Sequence, residues 1–117
     1  MIQLESFAII IFILQLFHSM EELSTGFHKR WYLRKLSFKT FLTFEICFTL
    51  FWGLVIFIPD FPLRSNLVLF FIALMFANGV QHVVWAGAEK KYVPGLVTGI
   101  IHIVVFFLFY FQLLKFI

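Results

Sequence analysis

Four apolar runs, at about 4–23, 40–58, 66–87 and 95–115, dominate this chain. Each is close to the roughly 20 residues a helix needs to cross the hydrocarbon core of a bilayer. Runs of that length satisfy their backbone N–H and C=O groups internally only as helices. The chain has 117 residues, of which 62% are hydrophobic and 13% charged. A soluble domain of this size cannot hide so much apolar surface, whereas a lipid-embedded one has an apolar exterior as well. The expected fold is therefore all-α. It is a polytopic membrane protein, an antiparallel four-transmembrane-helix bundle, with residues 1–117 in a single domain and the lipid bilayer as its surroundings.

The separators between the runs are recognisable. Ser24-Thr25-Gly26 breaks the first helix, and the basic stretch His28 to Lys39 follows. Pro59-Asp60-Phe61-Pro62 is a tight turn, with Ser65-Asn66 as the expected N-cap of the third helix. Glu89 to Gly95 joins the third helix to the fourth, with Pro94 suited to a first helical turn. Five of the nine basic residues lie between Lys29 and Lys39, and Lys90 and Lys91 occupy the other link on that side. Arg64 and Lys115 are on the opposite side. This bias is membrane topology rather than a nucleic-acid surface, and it predicts cytoplasmic basic links with both termini outside. The lone Cys47 excludes an internal disulfide. The first run lacks an early Lys or Arg and a small-residue cleavage site, so it is read as a retained helix and not a signal peptide.

Polar residues fall at one depth. His18, Glu21 and Glu22 end the first helix, and Glu45 lies about five residues into the second. Asn78 and His82 are near the end of the third, and Thr98 and His102 are in the first turns of the fourth. Up-down connectivity brings all of them to the side of the basic links. On the helical wheel His18 and Glu22 are neighbours, flanked by Glu21, with Gln15 a turn away. Stripes also form from Asn78, Gln81, His82 and Trp85, from Glu45, Thr49 and Trp52, and from Thr98, His102 and Gln112.

Ionisable side chains at membrane depth are costly, roughly 2.5–3.5 kcal/mol each on insertion scales, and face the bundle interior. Several carboxylates in one apolar layer also repel each other. A divalent cation relieves both problems, and a mixed nitrogen and oxygen donor set suits zinc, iron or manganese. The candidate ligands are His18, Glu21, Glu22, Glu45, His82 and His102, enough for one or two ions, with zinc or iron expected. Glu21 and Glu45 are the candidate general bases. Asn78 and Thr98 are expected to hydrogen-bond to the ligands.

His18-Ser19-Met20-Glu21-Glu22, the later His82 and Tyr92-Val93-Pro94-Gly95 resemble the defining HxxEE motif, histidine and YxPG motif of the HXXEE family of small integral membrane proteins. The resemblance covers nearly the whole length and shows no departure at those positions. It implies an integral membrane protein suspected of metal binding and enzymatic activity, and it supplies no substrate. Glu45 and His102 come from helical geometry and not from the resemblance.

The leading expectation is a metal-dependent membrane enzyme acting on a hydrophobic, lipid-like small molecule. The alternatives are a metal-free acid–base isomerase, a cation-binding or transport protein, and a structural protein whose polar layer sets helix register. Transport needs polar groups across the whole membrane, and only Gln3, Glu5, Thr49 and Gln112 are scattered over the other half. Blander partners are available for single residues: Arg30 for Glu22, Lys35 or Lys39 for Glu45, Asn78 for His82, and a backbone carbonyl for His102. His28 belongs with the solvated basic link. Gly95 and Gly99 form a GxxxG face for packing the fourth helix within the monomer or for a homodimer.

Overall fold

The computed structural model describes residues 4–110 and 114. Gln3, Gln112, Lys115 and the last part of the expected fourth helix lie outside them. The elements are α1 (Leu4–Ser24), a short α2 (Phe27–Arg30), α3 (Phe38–Phe57), α4 (Arg64–Glu89) and α5 (Leu96–Leu108). Among the described residues there is no strand. Helices α1, α3 and α4 are long and apolar enough to cross a membrane. The 21 residues of α1 extend about 31 Å at the α-helical rise. The 13 residues of α5 reach only about 20 Å.

The helix ends have local causes. Gly26, at φ 82°, ends α1 in the left-handed conformation that glycine adopts without steric cost. The Ser37 side chain accepts the Thr40 N–H at 3.1 Å, which starts α3 at Phe38, two residues before the expected 40. Helix α4 begins at Arg64 behind a left-handed Leu63 with no side-chain cap, and not at Ser65-Asn66. The Arg64 guanidinium explains this. It donates to the Val55 and Ile56 carbonyls at 3.0 and 2.5 Å, satisfying carbonyls left orphaned at the end of α3. It also pairs with Glu5 at 2.7 Å, tying α1 into the same corner. Pro94 lies in a turn, with Gly95 as the N-cap of α5 at φ 91°, so the helix opens after the glycine and not on the proline.

Two apolar clusters hold the helices together. One contains Phe7, Ile11, Trp52, Phe71 and Met75. The other contains Phe27, Phe41, Trp85 and Val93. Along each helix the buried polar residues fall between the two. The fold buries Gln15, His18, Ser19, Glu22, Glu45, His82 and His102 while Phe17, Phe44, Leu50, Phe57 and Phe107 are exposed. That distribution is the reverse of a soluble domain's.

The Gly99 face is used inside the molecule. A Cβ on Gly79 of α4 would lie 2.5 Å from the Gly99 carbonyl oxygen, and one on Gly99 would lie 3.5 Å from the Gly79 Cα. Small residues facing each other let two helix backbones approach this closely. Gly79→Ala should therefore destabilise the protein by about 1–3 kcal/mol, the usual cost of overpacking. Gly87→Ala, where a Cβ would meet nothing within 4 Å, should be neutral or stabilising by up to about 1 kcal/mol. Thermal melts in detergent check the pair. Equal effects at the two positions would refute the close approach.

Candidate metal centre

The C-terminal turns of α1 and α4 and the N-terminal turns of α3 and α5 meet in one buried layer. His18 and His82 are fully buried and Glu22 is 5% exposed. One ligand atom from each lies within 4.8 Å of the others, the one such group of three among the described residues. Glu22 Oε2 is 3.3 Å from His18 Nε2 and 3.1 Å from His82 Nε2. Both His82 nitrogens are buried without a well-aligned hydrogen bond, Glu22 being the nearest acceptor to Nε2. The Nε2 atom is thus at hydrogen-bond distance from a carboxylate oxygen but without the alignment of an N–H donor. Buried polar atoms in that state call for an explanation. A cation between the imidazoles and the carboxylate supplies one for Nε2, and the donor set suits it. Two imidazoles and one carboxylate hold zinc with a position left open, and hold iron(II) in the same way.

Glu22 therefore does not take Arg30 as partner. Arg30 instead donates to the Tyr92 carbonyl at 2.9 Å and pairs with Glu89 at 3.6 Å. Asn78 bonds to His18 and not to His82, with Nδ2 at 3.1 Å from His18 Nε2.

Glu21 stands apart from the three. Its Oε1 accepts from the Thr98 N–H at 2.8 Å and the Thr98 hydroxyl at 2.6 Å. Its Oε2 accepts from the Val97 N–H at 3.1 Å and the Tyr92 hydroxyl at 2.6 Å. Four donors fill the lone-pair sites of a carboxylate, so the expected roles of Glu21 as ligand and base do not fit its surroundings. It caps the N-terminus of α5 from another helix, where orphan N–H groups and the helix dipole favour an anion. Burial, and next its bond to Glu21, raise the Tyr92 phenol above its ordinary pKa. The YxPG segment thereby acquires a physical meaning. Tyr92 binds Glu21, while Gly95 passes so close to the imidazoles that a Cβ there would collide with His82 Cε1 and Nδ1 and with His18 Cε1.

His102 and Glu45 border the centre without joining the group of three. The His102 ring centroid is 5.5 Å from that of His18. Its Nε2 bonds to Gln15 Oε1 at 3.2 Å, and its Nδ1 is buried without a partner. The Gln15 amide donates to Ser19 Oγ at 3.4 Å, and Ser19 donates to Glu45 Oε2 at 2.5 Å. Glu45 also lies against the Glu22 carboxyl and has no lysine partner in Lys35 or Lys39 among its described contacts. Ser19 was not expected at the site. Its signal was its place four residues after Gln15 on the His18 helix. Thr98 Oγ1 lies 2.6 Å from His18 Nδ1.

Helix α2 closes the layer from the link side. Four residues are too few to show a helical period, so it went unexpected. Phe27 is buried, with its ring centroid 5.9 Å from that of His82. His28 is half-buried against Phe38 at 5.4 Å between ring centroids rather than solvated. Cys47 is exposed.

A family model described as "Protein of unknown function with HXXEE motif" matches residues 9–110, most of the chain. No curated protein matches it. No solved structure matches it.

Proposed function

We propose that this chain, which belongs to the HXXEE family, is a membrane-embedded metalloenzyme acting on a hydrophobic, lipid-like substrate. The observation that carries the reading is the fully buried imidazole pair of His18 and His82 gathered on the Glu22 carboxylate. His18, Glu22 and His82 would hold one zinc or iron ion. Such an ion supplies Lewis acidity and an activated water, or oxygen chemistry in the case of iron. The membrane setting is supported by the three long apolar helices and their exposed Phe and Leu side chains. The basic links would face the cytoplasm, with both termini on the other side.

The lipid-like substrate is supported by a groove of about 410 Å³ between α1 and α3. Leu16, Met20, Ile46 and Leu50 form its walls, and Ser19 and Glu45 lie among its lining residues. A volume of that order suits a small ligand. Glu45 touches both the groove and Glu22, so it is the carboxyl placed to hydrogen-bond a polar group carried in on an apolar chain. Ser19 and Gln15 hold it in place.

Elemental analysis of detergent-purified protein tests the reading. About one equivalent of zinc or iron per chain is expected. Exhaustive chelation should strip it and abolish turnover of any lipid the protein converts. Protein that carries no stoichiometric metal, or that stays active after chelation, would favour metal-free acid–base chemistry and sink this proposal.

A further inference from the structure

Which nitrogen of His18 carries the proton decides which one is free to be a ligand, and hydrogen bonds approach this ring from both sides. On one side the chain begins at a group that can only donate. The Trp31 indole N–H donates to Gln81 Oε1 at 3.1 Å, and Tyr32 hydroxyl shares that oxygen at 3.2 Å. The Gln81 amide nitrogen then donates to Asn78 Oδ1 at 3.2 Å. That leaves the Asn78 amide nitrogen as the donor facing His18 Nε2 at 3.1 Å. Indole offers a donor and no acceptor, so the direction of every bond in this chain follows from its first member.

On the other side the chain ends at a group that can only accept. Thr98 Oγ1 has one proton and gives it to Glu21 Oε1. The same oxygen is 2.6 Å from His18 Nδ1, so it must accept there, and His18 Nδ1 must be the protonated nitrogen. Both chains demand the same state of the ring: hydrogen on Nδ1 and a bare lone pair on Nε2, the atom that faces Glu22.

We infer that Glu21, the first glutamate of the HxxEE motif, is a positioning residue that acts through Thr98 to hold His18 in its Nδ1–H tautomer, presenting Nε2 as a metal-ligating lone pair. This rests on the metal reading above for its purpose, though not for its geometry. The Asn78 amide and a cation seek the same lone pair, so either one reads the same tautomer. Hydrogen-bonded partners of this kind orient ligand imidazoles and raise their basicity, and their loss typically weakens metal binding 10- to 100-fold. The pair of adjacent glutamates thus divides the labour. Glu22 faces the imidazoles, while Glu21 fixes the ring and anchors α5 with the same carboxylate.

Thr98→Val separates the two duties of Glu21. It removes the hydroxyl and keeps the Val97 and Thr98 N–H groups that Glu21 also binds. Two-bond nitrogen–proton correlation spectra of histidine-labelled, metal-free protein in micelles should show His18 protonated at Nδ1 in wild type and in Thr98→Ser. The signature should be lost in Thr98→Val. Zinc titration should show Kd about 10- to 100-fold weaker for Thr98→Val, wild-type affinity for Thr98→Ser and unchanged helicity in both. A wild-type His18 protonated at Nε2, or a valine variant with wild-type tautomer and zinc affinity, would overturn the inference. A wild type that binds no zinc but shows the Nδ1–H form would sink the metal reading alone and leave the relay standing.

Discussion

His82→Gln and Glu22→Gln are each expected to weaken zinc binding by roughly 60- to 700-fold in a competition titration. A structural zinc site with four protein ligands is worth roughly 10–16 kcal/mol, or about 2.5–4 kcal/mol per ligand, and each 1.4 kcal/mol is tenfold. Glutamine in place of Glu22 keeps shape and volume while removing the charge that two imidazoles face. His82 is fully buried, so a cavity-forming alanine would confound binding with stability, and glutamine limits that. Circular dichroism should show both variants helical. Glu21→Gln provides the contrast. Its four bonds all come from Tyr92, Val97 and Thr98, so its effect on zinc should stay within the 10- to 100-fold range of an indirect partner. Equal zinc content in wild type, His82→Gln and Glu22→Gln would show that these residues bind no metal.

Gly95→Ala is expected to damage fold and site together. Gly95 sits at φ 91°, where a side chain adds roughly 1–2 kcal/mol of steric cost. The new Cβ would also run into the His82 and His18 rings, and overpacking of this kind adds about 1–3 kcal/mol. A loss of about 2–5 kcal/mol follows, a large share of the total stability of a small domain. The rings cannot give way without moving off Glu22, so the surviving folded protein should also bind zinc more weakly. Gly26→Ala is the control. Gly26 has a similar φ of 82°, but a Cβ there would meet nothing within 4 Å, so it should show the backbone cost alone with zinc affinity intact. Gly95→Ala with wild-type stability and affinity would contradict the packing of the YxPG turn on the imidazoles.

The helical fold was legible because apolar length is a strong signal. Three of the four runs are helices long enough to span a bilayer, and the fourth is a shorter helix over the described residues. The convergence of polar residues was legible too, since up-down connectivity puts the end of one helix beside the start of the next. Local details were less so. Ser37 lies just before the second apolar run and caps it, yet the basic residues around it drew the boundary inward. Ser65-Asn66 looks like a helix cap, but the Arg64 guanidinium has already bonded to carbonyls from the end of α3. That contact comes from the packing of two chain segments, which residue preferences do not encode.

Sequence alone brought His18 and Glu22 to the same level as His82, His102 and Glu45, and the fold buries these five side chains, because ionisable groups on long apolar helices turn toward the bundle interior. It could not say which of two adjacent glutamates faces the imidazoles. Neighbours on a helix point about 100° apart, and both directions are polar in a chain read one residue at a time. Only the tertiary structure decided it. The rotation of α1 against α4 and α5 aims Glu22 at His82, and the N–H groups at the start of α5 claim Glu21.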